Sequence, residues 1–464
     1  MTEIDFFFDP KSIAIIGASD KLRFGYTTTK YLLNSKFKSF PVHLYKTEIL
    51  GHKTYENIKD IPENIELAIL LVPNERVLQA VKDCAEKGVK GIIIESAGFS
   101  ETGEERYINI QNEILEIVKE TNIRIIGPNC VGLTNFNNEF TSAEVEFNNT
   151  LKGNISVIAQ SGVLGNVFID WASGQNIGFS KTITLGNKID VDEVDILDYL
   201  NNDPDTKVIT LYLEGTKRGK EFTQILKQMI KPVIILKNGR SESGSNAVKS
   251  HTGSMAGNDK IYEAIIRQNP GIFRVNNFYE MFNIAQVFST QPLPKGKNVA
   301  IITGSGSLGI LACDEIEKQG LSLAKLNEET INKIKAAIPN WVSIKGTIDL
   351  GPSMATSFIP TLKAVLKDNN VNSLLFIFCI PRGPLQEFKP LSSIIESYFR
   401  IMKRLSNKVD KPCICVCFGS RWVFDFVLKN ASKFDIPVMN RIKHAIKAFR
   451  MMYQYEQYLR NKQN

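Results

Sequence analysis

Short runs of β-branched and other apolar residues recur along the chain, each followed by a turn of small residues and a helix-like stretch. A strand that is buried on both faces gives such a run, and the helices between the strands complete βαβ units. Examples are SIAIIGAS, LAILLVP, GIIIESAG, ISVIAQSG, KVITLYLEG, PVIILKNG, NVAIITGSG and PCICVCFGS. The pattern predicts an α/β protein whose doubly wound sheets are mostly parallel.

This rhythm breaks at two places, which we interpret as domain boundaries. The stretch NFNNEFTSAEVEFNNTLKG is polar and rich in asparagine, and the stretch STQPLPKGKN has the proline, glycine and lysine of a linker. We predict three domains, each of a size suited to one doubly wound sheet. They cover residues 1–145, 146–292 and 293–464.

One segment is echoed later in the chain. NISVIAQSGVLG, from Asn154 to Gly165, aligns without gaps with NVAIITGSGSLG, from Asn298 to Gly309. Each segment predicts a strand, a Ser-Gly turn and the start of a helix, whose N-terminal N–H groups attract anions. The second and third domains are therefore predicted to be copies of one fold.

Composition narrows the classes of ligand and location. The formal net charge is +7, but lysine and arginine are spread along the chain, which favours a small anionic ligand over nucleic acid. The seven cysteines lack paired metal-ligand spacing and predict buried thiols in a reducing cytoplasm rather than a metal site. No apolar run is long enough to span a membrane, and the start MTEIDFFFDP does not resemble a signal peptide.

The first strand is followed by a candidate phosphate site. Gly17 ends the run SIAIIG, and a helix is expected to begin shortly after it. The nicotinamide fingerprint G-x-G-x-x-G is absent, because the next glycine is Gly25, and no acidic residue closes the second strand. Lys21, Arg23 and Lys46 suit a ligand with more phosphate charge than a dinucleotide. A glycine that only serves the turn remains the alternative for Gly17.

Several longer motifs resemble the nucleoside-diphosphate-forming acyl-CoA synthetases, the superfamily of succinyl-CoA synthetase. FFDPKSIAIIGAS, EILGHKTYENIKDIP, GIIIESAGFSETGEE and GPNCVGL are similar to its CoA-binding domain, and AQSGVLG, KPVIILKNGRSESG and SHTGSMAG follow its next domain in order. The third domain resembles the further ligase domain of that family more loosely. The resemblance implies a Rossmann-like CoA-binding domain followed by two flavodoxin-like domains.

The resemblance also implies roles for individual residues. His251, in a loop of small residues that leaves space for a phosphoryl group, is implied to be phosphorylated, and Glu214 to hold the imidazole tautomer. Cys130 is expected to be structural and His43 incidental. The implied phosphate contacts are Ser161, Gly162, Val163, Thr252, Gly253, Ser305 and Gly306. The implied CoA contacts are Gly17, Ala18, Ser19, Lys21, Arg23, Gly25, Lys46, Val72, Pro73, Ser96, Ala97, Gly98 and Asn129.

No segment resembles an ATP-grasp nucleotide domain, and GxxxxGK[ST] is absent. The resemblance therefore implies the α subunit of an acid-thiol ligase that interconverts acyl-CoA, ADP and phosphate with free acid, CoA and ATP. An ATP-grasp β subunit would bind ADP or ATP with Mg²⁺, in an α2β2 assembly. Two alternatives are a CoA-binding regulatory or scaffold protein without catalysis and a nicotinamide-dependent oxidoreductase.

Overall fold

The protein is described by a computed structural model that covers residues 4–252, 257–344, 346–387 and 390–463. For residues 249–252, 390, 391 and 463 only the backbone is described. The chain divides into two compact units, Met1–Asn276 and Asn277–Asn464. The first unit contains two large sheets and the second unit contains one.

The first sheet has five parallel strands in the order β2-β1-β5-β6-β7. Strands β1, β5 and β6 are buried along their whole length, as their unbroken apolar runs predict. The elements are β1 (Ile13–Ile16), α1 (Tyr26–Asn34), β2 (Ser39–Val42), the hairpin β3 (Glu48–Ile49) and β4 (His52–Lys53), β5 (Leu67–Leu70), α2 (Asn74–Lys87), β6 (Gly91–Ile94), α3 (Glu105–Glu120) and β7 (Arg124–Ile126), with 3-10 turns at Asp5–Phe7, Ile58–Asp60 and Ser100–Thr102.

The second sheet has seven strands in the order β14-β13-β12-β10-β11-β8-β9. The first five strands in this order are parallel, whereas β8 and β9 add an antiparallel edge next to β11. The elements are β8 (Leu133–Asn135), β9 (Phe140–Thr141), β10 (Lys152–Ala159), α4 (Val167–Gly174), β11 (Phe179–Thr184), α5 (Glu193–Asn202), β12 (Val208–Leu213), α6 (Gly219–Gln228), β13 (Val233–Lys237), α7 (Glu242–Thr252), α8 (Asp259–Arg267) and β14 (Ile272–Arg274), with 3-10 turns at Phe147–Asn149 and Gly162–Gly165.

The second compact unit is built on a third parallel sheet, in which β16-β15-β18-β19-β20 lie side by side and β17 also pairs with β15. The elements are α9 (Phe278–Thr290), β15 (Asn298–Thr303), α10 (Gly306–Lys318), β16 (Ser322–Leu323), α11 (Glu328–Lys335), β17 (Ile348–Asp349), α12 (Met354–Lys367), β18 (Ser373–Cys379), α13 (Arg382–Glu387), α14 (Pro390–Val409), β19 (Cys413–Phe418), α15 (Arg421–Ser432), β20 (Val438–Met439) and α16 (Ile442–Gln463), with a 3-10 turn at Gly351–Ser353.

The three sheets share one strand order. When the five main parallel strands of each sheet are numbered in chain order, each sheet reads 2-1-3-4-5. Strand order reverses between the first and third of these strands, and ligands of such folds bind outside the carboxyl ends of the strands at that switch point. The switch points lie between β1 and β5, between β10 and β12, and between β15 and β18. The α/β class with mostly parallel, doubly wound sheets is confirmed.

The two echoed segments form the first strand of the second and third sheets, but the turns after them differ. Helix α10 begins at Gly306 directly after the turn, as predicted. After β10 the chain forms a four-residue 3-10 turn from Gly162, and α4 begins only at Val167. The turn packs tightly, because a Cβ on Gly162 would lie 2.6 Å from Val131 Cγ2.

The segment before His251 is helical, so the prediction of an irregular loop is wrong up to residue 252. Helix α7 spans Glu242–Thr252. Glu242 lies in its first turn, where a carboxylate is favoured by the helix dipole, and Val248 is buried. These contributions outweigh the low helix propensity of the serines and the glycine in the segment. Gly253 lies outside the described residues.

All seven cysteines are free thiols. Cys84 and Cys130 are buried in the first unit, and Cys413, Cys415 and Cys417 are buried in β19. The remaining two, Cys313 and Cys379, are half-buried. Within the described ranges, no cluster of three or more histidine, cysteine or acidic side chains could hold a metal ion. No helix of the described chain has the length and apolar character needed to cross a membrane.

Candidate active site

A cavity of about 1150 Å³ opens at the switch point of the first sheet. Residues that follow the ends of β1, β5 and β6 form its inner wall, where α/β folds place ligands. The volume lies just above the roughly 300–1,000 Å³ typical of small-molecule sites. Eight of the residues predicted to contact CoA line it: Gly17, Lys21, Arg23, Lys46, Val72, Pro73, Ser96 and Ala97.

Gly17 allows two strand ends to approach closely. Its φ is +90°, in the region that favours glycine, and a Cβ there would lie 2.7 Å from the carbonyl oxygen of Leu71. The Gly17 N–H donates to the carbonyl oxygen of Val42 on the neighbouring strand. The backbone after β1 therefore comes directly to the edge of the cavity.

Basic and acidic side chains both line the cavity. Lys21, Arg23, Lys46 and Arg76 line it together with His43, which the sequence analysis treated as incidental. Burial, followed by the charges of Lys46 and Arg23, lowers the pKa of His43. Lys46 is paired with Asp20, whereas Lys21, Arg23 and Arg76 supply positive charge for the phosphate groups of an anionic ligand. The acidic residues of the lining are Asp20, Glu56, Glu75, Asp83 and Glu95.

The other predicted CoA contacts surround the cavity rather than form its lining. Ser19 accepts a hydrogen bond from Arg23 Nε at 3.0 Å, and the N–H of Asn129 donates to the carbonyl oxygen of Ser96 at 2.9 Å. Ser19 and Asn129 thus hold residues that line the cavity. Their direct contact with CoA stays a prediction. The set consists of Ala18, Ser19, Gly25, Gly98 and Asn129.

The switch point of the second sheet brings Ser161 and Glu214 close together through a buried amide. Gln160 and Ser161 follow β10, and Glu214 follows β12 beside it. Gln160 Oε1 accepts from the N–H groups of Glu214 and Gly215 at 3.1 and 3.3 Å. The predicted phosphate turn of Ser161, Gly162 and Val163 thus begins one residue after the side chain that holds the Glu214 backbone.

The Glu214 side chain is 4% exposed and is held by aromatic and amide groups. Tyr212 OH donates to Glu214 Oε1 at 3.2 Å, and Asn238 Nδ2 donates to Tyr212 OH at 3.1 Å. Asn238 directly follows β13, and α7 with His251 follows four residues later. The carboxylate is therefore fixed at the strand edge from which the His251 helix departs.

Lys237 buries a cationic side chain beneath the same strand edge. Its Nζ donates to the carbonyl oxygen of Glu214 at 2.7 Å and lies 4.7 Å from the centre of the Tyr262 ring. Burial lowers the pKa of Lys237 to about 8. The lysine connects the ends of β12 and β13 and so sets the position of the Glu214 backbone.

A buried ion pair supports this edge from the next loop. Lys188 Nζ donates to Glu193 Oε2 at 2.8 Å, and the two side chains are 3% and 0% exposed. Lys188 also donates to the carbonyl oxygen of Gly215 at 2.6 Å and to Gln160 Oε1 at 3.4 Å. The loop before α5, which contains Lys188, is thereby joined to Gln160 after β10 and to Gly215 after β12.

Close backbone packing links this switch point to the first cavity. Gly162 packs against Val131, whose N–H donates to Thr184 Oγ1 at 2.9 Å. A Cβ on the next residue, Gly132, would lie 3.1 Å from Oε1 of Glu95, and Glu95 lines the cavity. The cavity and the Ser161 turn are therefore separated by only a few residues.

The backbone of His251 lies in the last turn of α7, and its side chain and that of Thr252 lie outside the described residues. Helix α7 approaches the 3-10 turn Ser100–Thr102, with α-carbons within 8 Å. Ser305 and Gly306 form the start of α10 in the second compact unit, where the Ser305 N–H donates to Thr303 Oγ1 at 3.0 Å. Contact of any of these residues with phosphate stays a prediction.

Family models and relatives match most of the chain. A CoA binding domain matches residues 11–135, and a succinyl-CoA ligase like flavodoxin domain matches residues 152–288. The α subunit of acetate–CoA ligase [ADP-forming] II from Pyrococcus furiosus is 43% identical over 94% of each chain. The chain belongs to the ADP-forming acetate–CoA ligase family. Its Rossmann-like CoA-binding and flavodoxin-like domains, predicted from sequence, are confirmed as family features.

Two further comparisons extend the match with the ADP-forming ligases. Acetate–CoA ligase [ADP-forming] II of Archaeoglobus fulgidus is 36% identical over 95% of this chain, which spans 65% of that relative. The dinucleotide forming acetyl-coenzyme A synthetase 1 of Ca. Korarchaeum cryptofilum, solved with phosphate and ADP, superposes with a TM-score of 0.88 at 28% identity, over 98% of this chain and 97% of that chain. The family membership supports catalysis over an inactive CoA-binding protein.

Sequence reasoning missed three residues at the ligase site. Gln160, Lys237 and Glu95 each lie at or directly after the end of a buried strand. Residues at that position of a parallel sheet face the ligand edge, so their place in the sequence was a usable signal. Which strand ends are neighbours, and which side chains are buried there, required the structure.

Proposed function

We propose that the chain is the α subunit of an acid-thiol ligase that interconverts acyl-CoA, phosphate and ADP with free acid, CoA and ATP. The observation that carries this proposal is the Gln160 side chain, which joins the Ser161 turn to Glu214 at one switch point. In the same compact unit, a cavity whose lining includes Lys21, Arg23 and Arg76 offers positive charge to the phosphates of CoA. Membership of the ADP-forming ligase family supports the same reaction.

The chemistry runs in two steps on this chain. Phosphate displaces CoA from the acyl-CoA and gives an acyl phosphate. His251 then takes the phosphoryl group and releases the acid. Glu214 accepts a hydrogen bond from one imidazole nitrogen, which leaves the other nitrogen nucleophilic.

Each of the two echoed turns offers backbone N–H groups to a phosphate. Ser161, Gly162 and Val163 supply one turn, and Ser305 and Gly306 supply the start of α10. Thr252 and Gly253 complete the contacts beside His251. The start of α10 contributes about 1 kcal/mol to the binding of a phosphate dianion, and the N–H groups of the 3-10 turn at Gly162–Gly165 act through hydrogen bonds.

The second substrate pair is bound by a partner. The α-subunit relatives imply a β subunit, which we propose to be an ATP-grasp protein that binds ADP or ATP with Mg²⁺. The assembly is an α2β2 heterotetramer in the cytoplasm. CoA, acyl-CoA and small organic acids are the ligands of this chain, without nucleic acid or membrane association.

The test is transfer of labelled phosphate to the chain. We expect incubation with acetyl-CoA and ³²P-phosphate to give an acid-labile label, and ATP to form from ADP only after the β subunit is added. His251→Ala abolishes the label, and Glu214→Gln slows labelling by about 10²-fold, the scale of a lost acid–base group. His52→Ala, a histidine on β4 outside the site, serves as the matched control.

Absence of label in the wild-type chain, with and without the β subunit, would exclude the proposed reaction. Label that persists in His251→Ala would place the phosphoryl group on another residue. A screen of short, branched and aryl acids with the complete enzyme then identifies the acyl group. A CoA-binding regulatory protein would bind CoA and give no label.

A further inference from the structure

Glu95 is a buried carboxyl group that takes no part in the two reaction steps proposed above. It directly follows β6, is 7% exposed and lines the cavity of the first sheet. Within the described part of the chain, its Oε1 has no hydrogen-bond partner. Burial of a polar atom without a partner costs free energy, so the position favours an atom with a use in function.

The surroundings of Glu95 favour its neutral form. Burial, followed by the charge of Glu144, raises the pKa of Glu95 well above its usual value. A second titratable neighbour besides Glu144 is the Cys130 thiol, whose pKa is raised by burial and then by Glu95 and whose Sγ donates to the carbonyl oxygen of Ile94. A neutral carboxyl group at this position has a proton to donate.

Glu95 lies between the two parts of the site. On one side it lines the cavity that also contains Lys21, Arg23 and Arg76. On the other side its Oε1 faces Gly132, and the preceding residue, Val131, packs against Gly162 of the phosphate turn. A ligand with its phosphates beside these basic side chains and its neutral arm along the cavity would bring its far end toward Glu95 and the Ser161 turn.

We propose that Glu95 is the general acid–base group that exchanges a proton with the sulfur of CoA. This inference rests on the proposed ligase function and adds a catalytic residue to the thioester step. A thiolate leaves an acyl carbon more readily when a proton reaches the sulfur as the bond breaks.

The proton and bond changes balance without a further reactant. A phosphate oxygen attacks the acyl carbon, a C–O bond forms and the C–S bond breaks. The electron pair of the C–S bond goes to sulfur, which takes the proton of the Glu95 carboxyl group and becomes the CoA thiol. Monohydrogen phosphate loses its proton in forming the acyl phosphate, and this proton restores Glu95.

The test compares two routes to the phosphorylated chain, measured on the full chain with its β subunit. Acetyl-CoA with ³²P-phosphate requires thioester cleavage, whereas ³²P-acetyl phosphate bypasses it. We expect Glu95→Gln, an uncharged isostere, to slow labelling by the first route by about 10²-fold or more and to leave the second route unchanged. The wild-type rate by the first route should also fall at alkaline pH, and this fall should be absent in Glu95→Gln.

Glu95→Asp, which keeps a carboxyl group, should recover part of the rate, and Glu105→Gln on the exposed face of α3 should match the wild type. Wild-type labelling by the first route in Glu95→Gln would overturn the inference and reduce Glu95 to a packing role. Loss of both routes in that variant would overturn it as well, because the defect would not be confined to thioester cleavage. If wild-type chain is labelled by neither route, the proposed function itself fails.

Discussion

At the scale of single residues, the site depends on buried polar side chains that hold neighbouring strand ends together. Gln160 binds the backbone after β12, Lys237 binds the same backbone from β13, and Lys188 binds the residue after it. All three are buried polar groups that are expensive to leave without partners. Their substitution should therefore affect stability and catalysis together.

The ion pair of Lys188 with Glu193 gives the clearest stability prediction. Lys188→Met keeps the length of the side chain but leaves the Glu193 carboxylate buried without its cation, so we expect a loss of about 3–5 kcal/mol in the free energy of unfolding. Urea unfolding followed by circular dichroism measures the loss. The control is Lys333→Met, which removes the exposed helical pair with Glu329 and should cost no more than about 0.5 kcal/mol. Equal losses in the two variants would contradict the burial argument.

Gly17 and Gly51 separate backbone strain from steric conflict. Both have positive φ, +90° and +82°, but a Cβ on Gly17 would meet Leu71 whereas a Cβ on Gly51 would meet no atom within 4 Å. We expect Gly51→Ala to cost about 1–2 kcal/mol and Gly17→Ala about 2–5 kcal/mol. Isothermal titration with CoA should show weaker binding only for Gly17→Ala. Unchanged CoA affinity in that variant would argue that the cavity does not hold CoA.

Residues that belong to a recognisable motif could be predicted from the sequence. Residues whose role comes from packing could not. Gly17 and Glu214 stand out because each follows an apolar strand, and the structure places both at switch points. Glu95 follows a strand in the same way, but an isolated glutamate gives no sign of burial or of a missing partner. His43 was set aside because its neighbours in the cavity come from other segments of the chain.

At the scale of elements, helix α5 has a reciprocal N-terminal cap. Asp192 Oδ1 accepts from the N–H of Val194 at 2.8 Å, and Asp195 Oδ2 accepts from the N–H of Asp192 at 3.0 Å. Asp192 also contacts Arg218 at 3.1 Å. The cap orients the start of the helix that carries Glu193, the partner of Lys188.

The cap predicts a dependence of stability on pH. Burial, followed by the charges of Glu193 and Asp195, raises the pKa of Asp192 to about 7. The contribution of this carboxyl group is thus complete below its unfolded pKa of about 4 and is lost as the pH rises through about 7. Asp192→Asn keeps the cap and should flatten the stability profile between these pH values, whereas Asp192→Ala should be about 1 kcal/mol less stable than Asp192→Asn at every pH. Thermal unfolding across the range tests both expectations, and an unchanged slope in Asp192→Asn would refute the assignment.

The helices and strands were predicted where apolar periodicity was strong, and α7 shows the limit of that signal. Serine and glycine around His251 indicate a loop when propensity alone is considered. The structure instead continues a helix to Thr252, with Val248 buried. Tertiary packing decided this element, which no local pattern could show.

At the scale of the whole molecule, the chain repeats one strand order three times and modifies the second copy. Strands β8 and β9 precede the second sheet in sequence and cover the edge of β11. From the echoed Ser-Gly turns, sequence reasoning predicted that the second and third domains are copies of one fold. It could not predict this added edge, because two short strands among polar residues carry little pattern.

The added edge predicts how the chain tolerates truncation. A fragment of residues 1–276 keeps a complete compact unit and should unfold in one cooperative transition and bind CoA. A fragment of residues 146–276 lacks β8 and exposes the edge of β11, so we expect it to aggregate or to remain unfolded. Size-exclusion chromatography and circular dichroism distinguish these outcomes. A soluble, cooperatively folded second fragment would show that the edge is dispensable.

The cysteine thiols differ in exposure, so their rates of alkylation report on the opening of each compact unit. An alkylating reagent reaches Cys313 and Cys379 first, because these two are half-buried, while the five buried thiols wait for local or global unfolding. Modification of Cys84 and Cys130 then times the opening of the first unit, and modification of Cys413, Cys415 and Cys417 times that of the second. Mass spectrometry of the alkylated peptides would measure the opening rates of both units in one sample, with no engineered probe.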